Sequence, residues 1–251
     1  LALSIYCNYY IGFMICIFSC IYFLYYYYCS LDNFDKRHKI IKYKEEKDNK
    51  IKNSFLLNSG IRFAFSSFAA AIILCGMLIP VAYVLSSSSA TSSTFPTTSK
   101  SYFDFFDFLA NHLASLEPTI RSSGEDVLPN IYCGILTLIL IPVFLLSKKI
   151  SSKEKVASVV LLTVMYFSFN INIFNFVWHG LHFPNDLPYR QSFMYSFMLV
   201  VMAHKAFKTI TDFNKKYLIG IGACLVIFTL AVYKIGSKNV SLLTVVLSIT
   251  F

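Results

Sequence analysis

Two histidines stand close together in the stretch FSFNINIFNFVWHGLHFPNDLPYRQSF, among side chains that bind anions and hydroxyl groups. His179 and His182 are three residues apart, so on a helix they would share one face. Arg190 carries a permanent charge and a forked set of donors, which suits a phosphate group. Asn175 and Asn185 add amides that can orient a phosphate or a sugar. The pattern predicts a binding site for a phosphate, a sugar hydroxyl or a developing anion.

Three interpretations of the two histidines are open. They could form a general acid/base pair, because histidine titrates near neutral pH. They could bind a metal, although the sequence around them supplies an incomplete ligand set. They could also cap helix ends in a hydrogen-bonded turn framed by Pro184 and Pro188. We predict His179 and His182 to be catalytic, with no metal ligand assigned.

A group of charged residues precedes the Leu128-Pro129-Asn130 turn and contains Glu117, Arg121, Glu125 and Asp126. Carboxylates near a membrane surface could act as acid/base groups or hold a divalent cation, the one cofactor indicated here. The alternative is that they are solvated loop charges. Glu117 is the best candidate for substrate binding, because it closely follows a predicted helix that can hold it.

The composition excludes a cytosolic enzyme, a disordered tail and a coiled coil. The 251 residues are 56% hydrophobic and 14% charged, whereas soluble domains carry about 25% charged residues. The seven cysteines are odd in number and show no CxxC spacing, so a disulfide framework or zinc site is not predicted. A polytopic membrane protein remains.

Apolar runs long enough to cross a bilayer, which takes about 20 residues, follow one another along the chain. The sequence predicts an all-α transmembrane bundle of about seven spans, the last one truncated, in a single membrane domain over residues 1–251. Because the chain begins at Leu1 and stops inside an apolar run, we expect it to be part of a longer protein. The predicted spans are 5–28, 63–85, 130–146, 156–177, 192–207, 217–233 and 240–251.

The 22 basic residues lie mostly in alternate gaps between the predicted spans. Seventeen fall on one side and five on the other, which by the positive-inside rule orients the protein in the cell membrane. The loop 32–53 is then cytoplasmic, and both the loop 86–129 and the histidine cluster face outward. Since the charge reports topology, no nucleic-acid partner is predicted.

The outward loop contains an amphipathic stretch, residues 102–114, in which Phe103, Phe106, Leu109 and Leu113 share a helical face. Such a helix could lie in the outer membrane interface. It could equally pack on the spans of its own protein.

Three stretches resemble the YfhO family of bacterial multi-span membrane proteins: LPNIYCG (128–134), SKKIS (147–151) and SFNINIFNFVWHGLHFPNDLPYRQSFMYSF (168–197). The opening ALSIYCNYYIGFMICIFSCIYFLYYY is also similar, with an Asn-Tyr-Tyr-Ile-Gly step at Asn8 to Gly12. The WHGLHFPNDLPYR stretch is the most specific part of the resemblance.

The resemblance implies a GT-C-type glycosyltransferase, an enzyme that moves a sugar from a polyprenyl-phosphate carrier to an acceptor on the outer face. For a Gram-positive bacterium the implied acceptor is an envelope polymer such as teichoic or lipoteichoic acid. Arg190 would then neutralise the leaving phosphate, Asn8 would join the orienting asparagines, and membrane lipid would surround the site. Such enzymes carry an acidic catalytic residue, which would act as the base, in their first outward loop, and that loop is expected upstream of Leu1. The alternatives are a transporter or flippase for a lipid-linked substrate and a non-catalytic scaffold for envelope assembly.

Overall fold

The computed structural model describes residues 1–38, 45–87, 94–119, 127–184, 188–235 and 240–250, with side chains described except at 31–38 and 45–56. Within these ranges the chain is helical, and the described part contains no β-strand beyond a single bridge between Ser101 and Ile171. The all-α prediction is confirmed. In chain order the helices are α1 (Ala2–Cys7), α2 (Tyr9–His38), α3 (Glu45–Ile73), α4 (Cys75–Ser86), α5 (Phe105–Ala110), α6 (Ile135–Leu146), α7 (Ser152–Asn170), α8 (Asn172–Trp178), α9 (Ser192–Phe207), α10 (Lys215–Ile235) and α11 (Leu242–Thr250), with a 3-10 turn at Ile210–Asp212.

Two described helices are long and apolar enough to cross a membrane, through Tyr9–Ser30 of α2 and Lys215–Ile235 of α10. A third span exists if Leu57–Ile73 and Cys75–Ser86, which are bent by 70°, count as one. The prediction of about seven spans is not confirmed among the described residues. The reason is that several predicted runs are broken or short: α6 has 12 residues and α9 has 16, below the roughly 20 that a bilayer needs.

The chain divides into two compact units. The first unit comprises Leu1–Thr94 together with His179–His182, and the second comprises Phe95–Trp178 and Phe183–Phe251. The two predicted histidines therefore belong to the unit that contains the N-terminal helices.

In the first unit, α1 folds back against α2 at Asn8. Asn8 is extended at φ −154° and ψ 102°, and its Oδ1 accepts a hydrogen bond from the Ile11 backbone N–H at 3.1 Å. This is the geometry of a helix N-cap, so Asn8 ends one helix and starts the next. Gly12 makes the return possible, because a Cβ there would lie 2.5 Å from the Ile5 Cα.

Helices α3 and α4 meet at Leu74, which is buried at 4% exposure. Pro80 lies inside α4, so the 70° bend does not occur at the proline. The predicted span 63–85 is thus two helices joined at one residue.

In the second unit, α6 packs along α9. Buried side chains of both helices, among them Val143, Phe144, Met202 and Ala206, form a core with Ile221 of α10. Helix α9 begins and ends where the sequence predicts, at Ser192 and Phe207. The start of α7 is capped by Ser151, whose side chain accepts from the Glu154 N–H, as in a capping box.

Helix α5 is shorter than the predicted amphipathic stretch and packs against its own protein. Ala110 and Leu113 are buried in a cluster with Val232, Val240 and Val245. Phe106, expected on the apolar face, is 44% exposed, while Phe108 is 3% exposed. Of the two alternatives for this stretch, packing on a helix of the same unit is the one observed.

Candidate functional site

The turn after α8 brings His179 and His182 to one tyrosine of α2. The turn is shaped by two residues of positive φ, Gly180 at 76° and Leu181 at 64°. The Tyr10 hydroxyl and His182 Nε2 are joined by a hydrogen bond of 3.1 Å. The Tyr10 ring meets the His182 ring edge-on at 5.5 Å and lies 6.0 Å from the His179 ring. We call these three residues the tyrosine–histidine cluster.

The members of this cluster differ in burial. His179 is fully buried at 0% exposure, whereas Tyr10 and His182 are partly exposed. A phenol and an imidazole in hydrogen-bond contact can hand a proton between them or jointly bind an anionic oxygen. His182 and Tyr10 are therefore accessible from outside the protein, whereas His179 is enclosed.

An apolar groove of about 270 Å³ lies along a neighbouring face of α2, which does not include Tyr10. Its α2 lining is Tyr9, Phe13, Cys16 and Cys20, which are spaced as residues of one helical face. Helices α1, α3 and α4 supply the rest, with Ile5, Phe63, Ala70 and Leu78 among the lining side chains. Phe13 also borders the histidine turn, since a Cβ at Gly180 would lie 3.9 Å from its ring. The groove and the tyrosine–histidine cluster are therefore neighbours within the first unit.

Two asparagines that precede the predicted cluster, Asn170 and Asn172, have structural partners around a break between α7 and α8. Asn170 Oδ1 accepts from Ser101 Oγ at 2.9 Å and from the Tyr102 and Phe103 N–H groups at 3.0 Å. Asn172 Oδ1 accepts from the Lys100 N–H at 2.9 Å, and its Nδ2 donates to the Thr98 carbonyl at 2.9 Å. We call this arrangement the asparagine clamp.

The clamp accounts for two amides that the sequence places in an apolar run. Ile171, between them, is extended at φ −102° and ψ 125°, and it forms the bridge to Ser101. Breaking the helix there turns both amides toward the 98–103 segment. Amides in an apolar environment are stabilised by such complete pairing.

Apart from Asn8, which is exposed and caps α2 in the first unit, the remaining predicted residues lie in the second unit or outside the described residues. Asn175 is buried at 3% exposure in α8, and Arg190 is partly exposed. Asn185 lies outside the described residues, as do Arg121, Glu125 and Asp126. The ligand-binding roles predicted for these residues stay predictions.

Tyr189 anchors the start of α9 next to Arg190. Tyr189 is 3% exposed, and its ring lies edge-on to those of Tyr102, Phe103 and Phe169. Burial raises the pKa of the Tyr189 hydroxyl above its usual value, which keeps that hydroxyl neutral. Its positive φ of 62° is held by this packing.

Glu117 borders a polar cavity of about 650 Å³ in the second unit. Asn111, Ser115, Thr119 and Ser241 also line the cavity, so hydroxyl and amide groups surround the one carboxylate among its described lining residues. Glu117 is exposed. Such a wall suits a hydroxylated ligand. Among the described residues, no group of three or more His, Cys, Asp or Glu side chains could hold a metal ion.

Sequence reasoning missed one buried histidine, His112, whose pKa is shifted by its surroundings. His112 is 6% exposed, and its Nδ1 lies 3.1 Å from the Phe108 carbonyl. Since a carbonyl only accepts, Nδ1 carries the proton, and Nε2 accepts from the Tyr195 hydroxyl at 3.0 Å. Burial lowers the pKa of His112 to about 4, outweighing the hydrogen bonds to Leu109 and Phe108.

Tyr10 was also missed, because it is 172 positions from His182 and is one of 17 tyrosines. A local signal did exist in the Asn-Tyr-Tyr-Ile-Gly step, where Asn8 caps α2 and Gly12 admits α1. His112 had a comparable signal, since it stands at the end of the amphipathic stretch whose apolar face is buried.

Comparison with known proteins identifies the family. The family model described as bacterial membrane protein YfhO matches residues 1–251. The chain therefore belongs to the YfhO family of bacterial membrane proteins. No curated protein and no solved structure matches the chain.

Proposed function

Starting from this membership of the YfhO family, we propose that the chain is part of a membrane glycosyltransferase. The proposed enzyme moves a sugar from a polyprenyl-phosphate donor to an envelope polymer, such as teichoic or lipoteichoic acid, on the outer face of the cell membrane. The observation that carries the proposal is the position of the tyrosine–histidine cluster beside an apolar groove on one helix.

A polyprenyl phosphosugar has a long apolar tail and a charged head, so its site needs both kinds of surface. The groove of about 270 Å³ offers aromatic and aliphatic side chains to the tail. Tyr10, one residue from the groove-lining Tyr9, offers its hydroxyl at the end of α2 where the helix starts. Because α2 is long and apolar enough to cross a membrane, its first turn lies near the phosphate level of the bilayer.

In this proposal Tyr10 and His182 bind the donor phosphate through their hydrogen-bonding atoms. His182 gives a proton to the departing phosphate oxygen, and the proton that the acceptor hydroxyl loses goes to the acidic residue that the family resemblance implies. His179, packed on the Tyr10 ring, is a positioning residue. Asn8 contributes its exposed side chain near the same helix start.

For the predicted residues of the second unit, the roles are proposed separately from the tyrosine–histidine cluster. Arg190 neutralises the leaving phosphate, and Asn175 and Asn185 orient the sugar or phosphate. Glu117 positions the acceptor in its polar cavity or holds a divalent cation there. The acidic catalytic residue that the family resemblance implies is not assigned to any described residue.

The test is to change Tyr10 and His182 in the full-length protein and to measure the sugar content of the purified envelope polymer. Loss of a positioned acid/base group lowers rates by about 10²- to 10⁴-fold, so His182→Gln should nearly abolish sugar addition. Tyr10→Phe, which keeps the ring and removes the hydroxyl, should lower it by about tenfold or more.

His204→Gln is the matched control, because His204 is an exposed histidine at the end of α9. It should leave the sugar content unchanged. Wild-type sugar content in the His182→Gln strain, with normal protein levels in the membrane, would reject the proposal.

A flippase for a lipid-linked substrate is the second candidate, and the divided helices favour it. The α3–α4 pair is bent by 70°, and α7 and α8 are separated at Ile171, as in the discontinuous helices of many transporters. Reconstituted vesicles separate the two: movement of a fluorescent polyprenyl-phosphate lipid between leaflets, with no sugar transfer, supports the flippase. If the vesicles show neither lipid movement nor sugar transfer and the deletion strain loses envelope assembly, the result supports a scaffold.

A further inference from the structure

A second cavity opens where α6 ends and α10 begins. It has a volume of about 470 Å³ and is lined by Lys148 and Lys149 after α6, by Asp212 and Asn214 before α10, and by Tyr217. All of these residues belong to the second unit. The glycosyltransferase proposal uses none of them.

The lining combines charge with exposed apolar surface. Lys149 Nζ and Asp212 Oδ2 form an ion pair at 2.8 Å, and Lys148 is exposed beside them. Leu146 and Tyr217 also line the cavity and are 58% and 66% exposed. An occupant with a negatively charged head and an apolar body is complementary to both parts of this wall.

The surroundings are strongly basic. The two segments that meet here, 147–155 and 205–217, contain eight lysines and two carboxylates, Glu154 and Asp212. Glu154 is paired with Lys205, and Asp212 is paired with Lys149. The net charge of +6 over these segments attracts anions to the cavity.

The cavity also lies at the depth of lipid headgroups. Helix α10 is long and apolar enough to cross a membrane from Lys215 onward. Residues immediately before such a helix, and in its first turn, lie at the membrane surface. Asp212, Asn214 and Tyr217 occupy these positions.

We propose that this cavity binds the headgroup of an anionic phospholipid. The phosphodiester lies against Lys148 and Lys149, and the Lys149–Asp212 ion pair forms the edge of the cavity. The acyl chains contact Leu146 and Tyr217. Basic pockets between membrane helices bind anionic headgroups by this combination of charge and apolar contact.

Native mass spectrometry of the full-length protein in an uncharged detergent tests the proposal, with phosphatidylglycerol and phosphatidylcholine as competing probes. The wild-type protein should retain phosphatidylglycerol in preference. The double variant Lys148→Gln/Lys149→Gln should bind it about ten- to thirty-fold more weakly. Asp212→Asn should bind it more tightly, because a competing carboxylate is removed.

The matched control is Lys208→Gln/Lys216→Gln, which removes the same charge from exposed positions that do not line the cavity. It should change the affinity less than threefold. An equal loss in both double variants would overturn the proposal in favour of general surface attraction. Equal retention of the two lipids, or glycerol phosphate binding as tightly as phosphatidylglycerol, would overturn the assignment of a lipid.

Discussion

Acidification should destabilise this protein through His112. The imidazole is fully enclosed, and burial lowers its pKa from 6.5 to about 4. In the unfolded chain the same group has its ordinary pKa, so between pH 6.5 and pH 4 the unfolded state binds more protons than the folded state. The free energy of unfolding therefore falls as the pH falls through this window, and it recovers above it.

The size of the effect follows from the two pKa values. With 6.5 in the unfolded state and about 4 in the folded state, the free energy of unfolding at pH 5 should be about 2 kcal/mol lower than at pH 8. For a chain of this length that corresponds to a loss of about 4–8 °C in the melting temperature. The cause is that burial removes water from the charged imidazolium and so disfavours the protonated form in the folded state.

The assay is thermal unfolding of the full-length protein in an uncharged detergent, followed by circular dichroism at pH 8 and pH 5. The informative variant is His112→Gln, whose amide can still donate toward the Phe108 carbonyl and accept from Tyr195 but does not titrate. It should lose most of the His112 contribution to the pH dependence. His204→Gln, which removes an exposed histidine, should keep the wild-type pH dependence.

Comparing the change in melting temperature between pH 8 and pH 5 in wild type and in His112→Gln separates His112 from every other group that titrates between the two pH values. If wild type and His112→Gln lost the same melting temperature between pH 8 and pH 5, the burial argument would be refuted. A melting temperature that rises on acidification only in wild type would refute its sign.

Two further changes test the local geometry. Asn170→Ala removes the acceptor shared by Ser101 Oγ and two backbone N–H groups and should lower the free energy of unfolding by about 2–4 kcal/mol. Asn170→Asp keeps that acceptor and should lower it less. A melting temperature equal to wild type for Asn170→Ala would contradict the asparagine clamp. Gly12→Ala puts a methyl group 2.5 Å from the Ile5 Cα and should lower the melting temperature of the first unit. Gly60→Ala, which has open space around it, should leave that melting temperature unchanged. Equal melting temperatures for the two variants would show that the packing of α1 on α2 does not depend on this close approach.

The positions of the helices were largely predictable, because helix formation depends on local hydrophobic runs. Helix α9 matches its predicted range, and α10 extends the predicted range by two residues at each end. What the runs did not reveal is where they break. Asn8, Leu74 and Ile171 interrupt three predicted spans. Leu74 and Ile171 are as apolar as their neighbours, and a single polar residue such as Asn8 does not end a long apolar run.

The candidate site was half predictable, for a related reason. His179 and His182 are three residues apart in the sequence, so their spacing alone indicates a pair. Their partner Tyr10 comes from the opposite end of the chain, and no spacing rule connects it with them. Asn170 and Asn172 stand in an apolar run, where unpaired amides are costly, but their partners, about 70 residues earlier, are brought to them only by the folded backbone.

The sequence by itself determined the class of this protein: an all-α membrane protein of the YfhO family with a polar cluster around two histidines. Composition and local motifs carry that information, because each is a property of neighbouring residues. Only the tertiary structure decided which polar side chains satisfy the fold and which face a groove. The physical reason is that hydrogen bonds such as Tyr10–His182 and Asn170–Ser101 join residues whose proximity depends on the packing of whole helices.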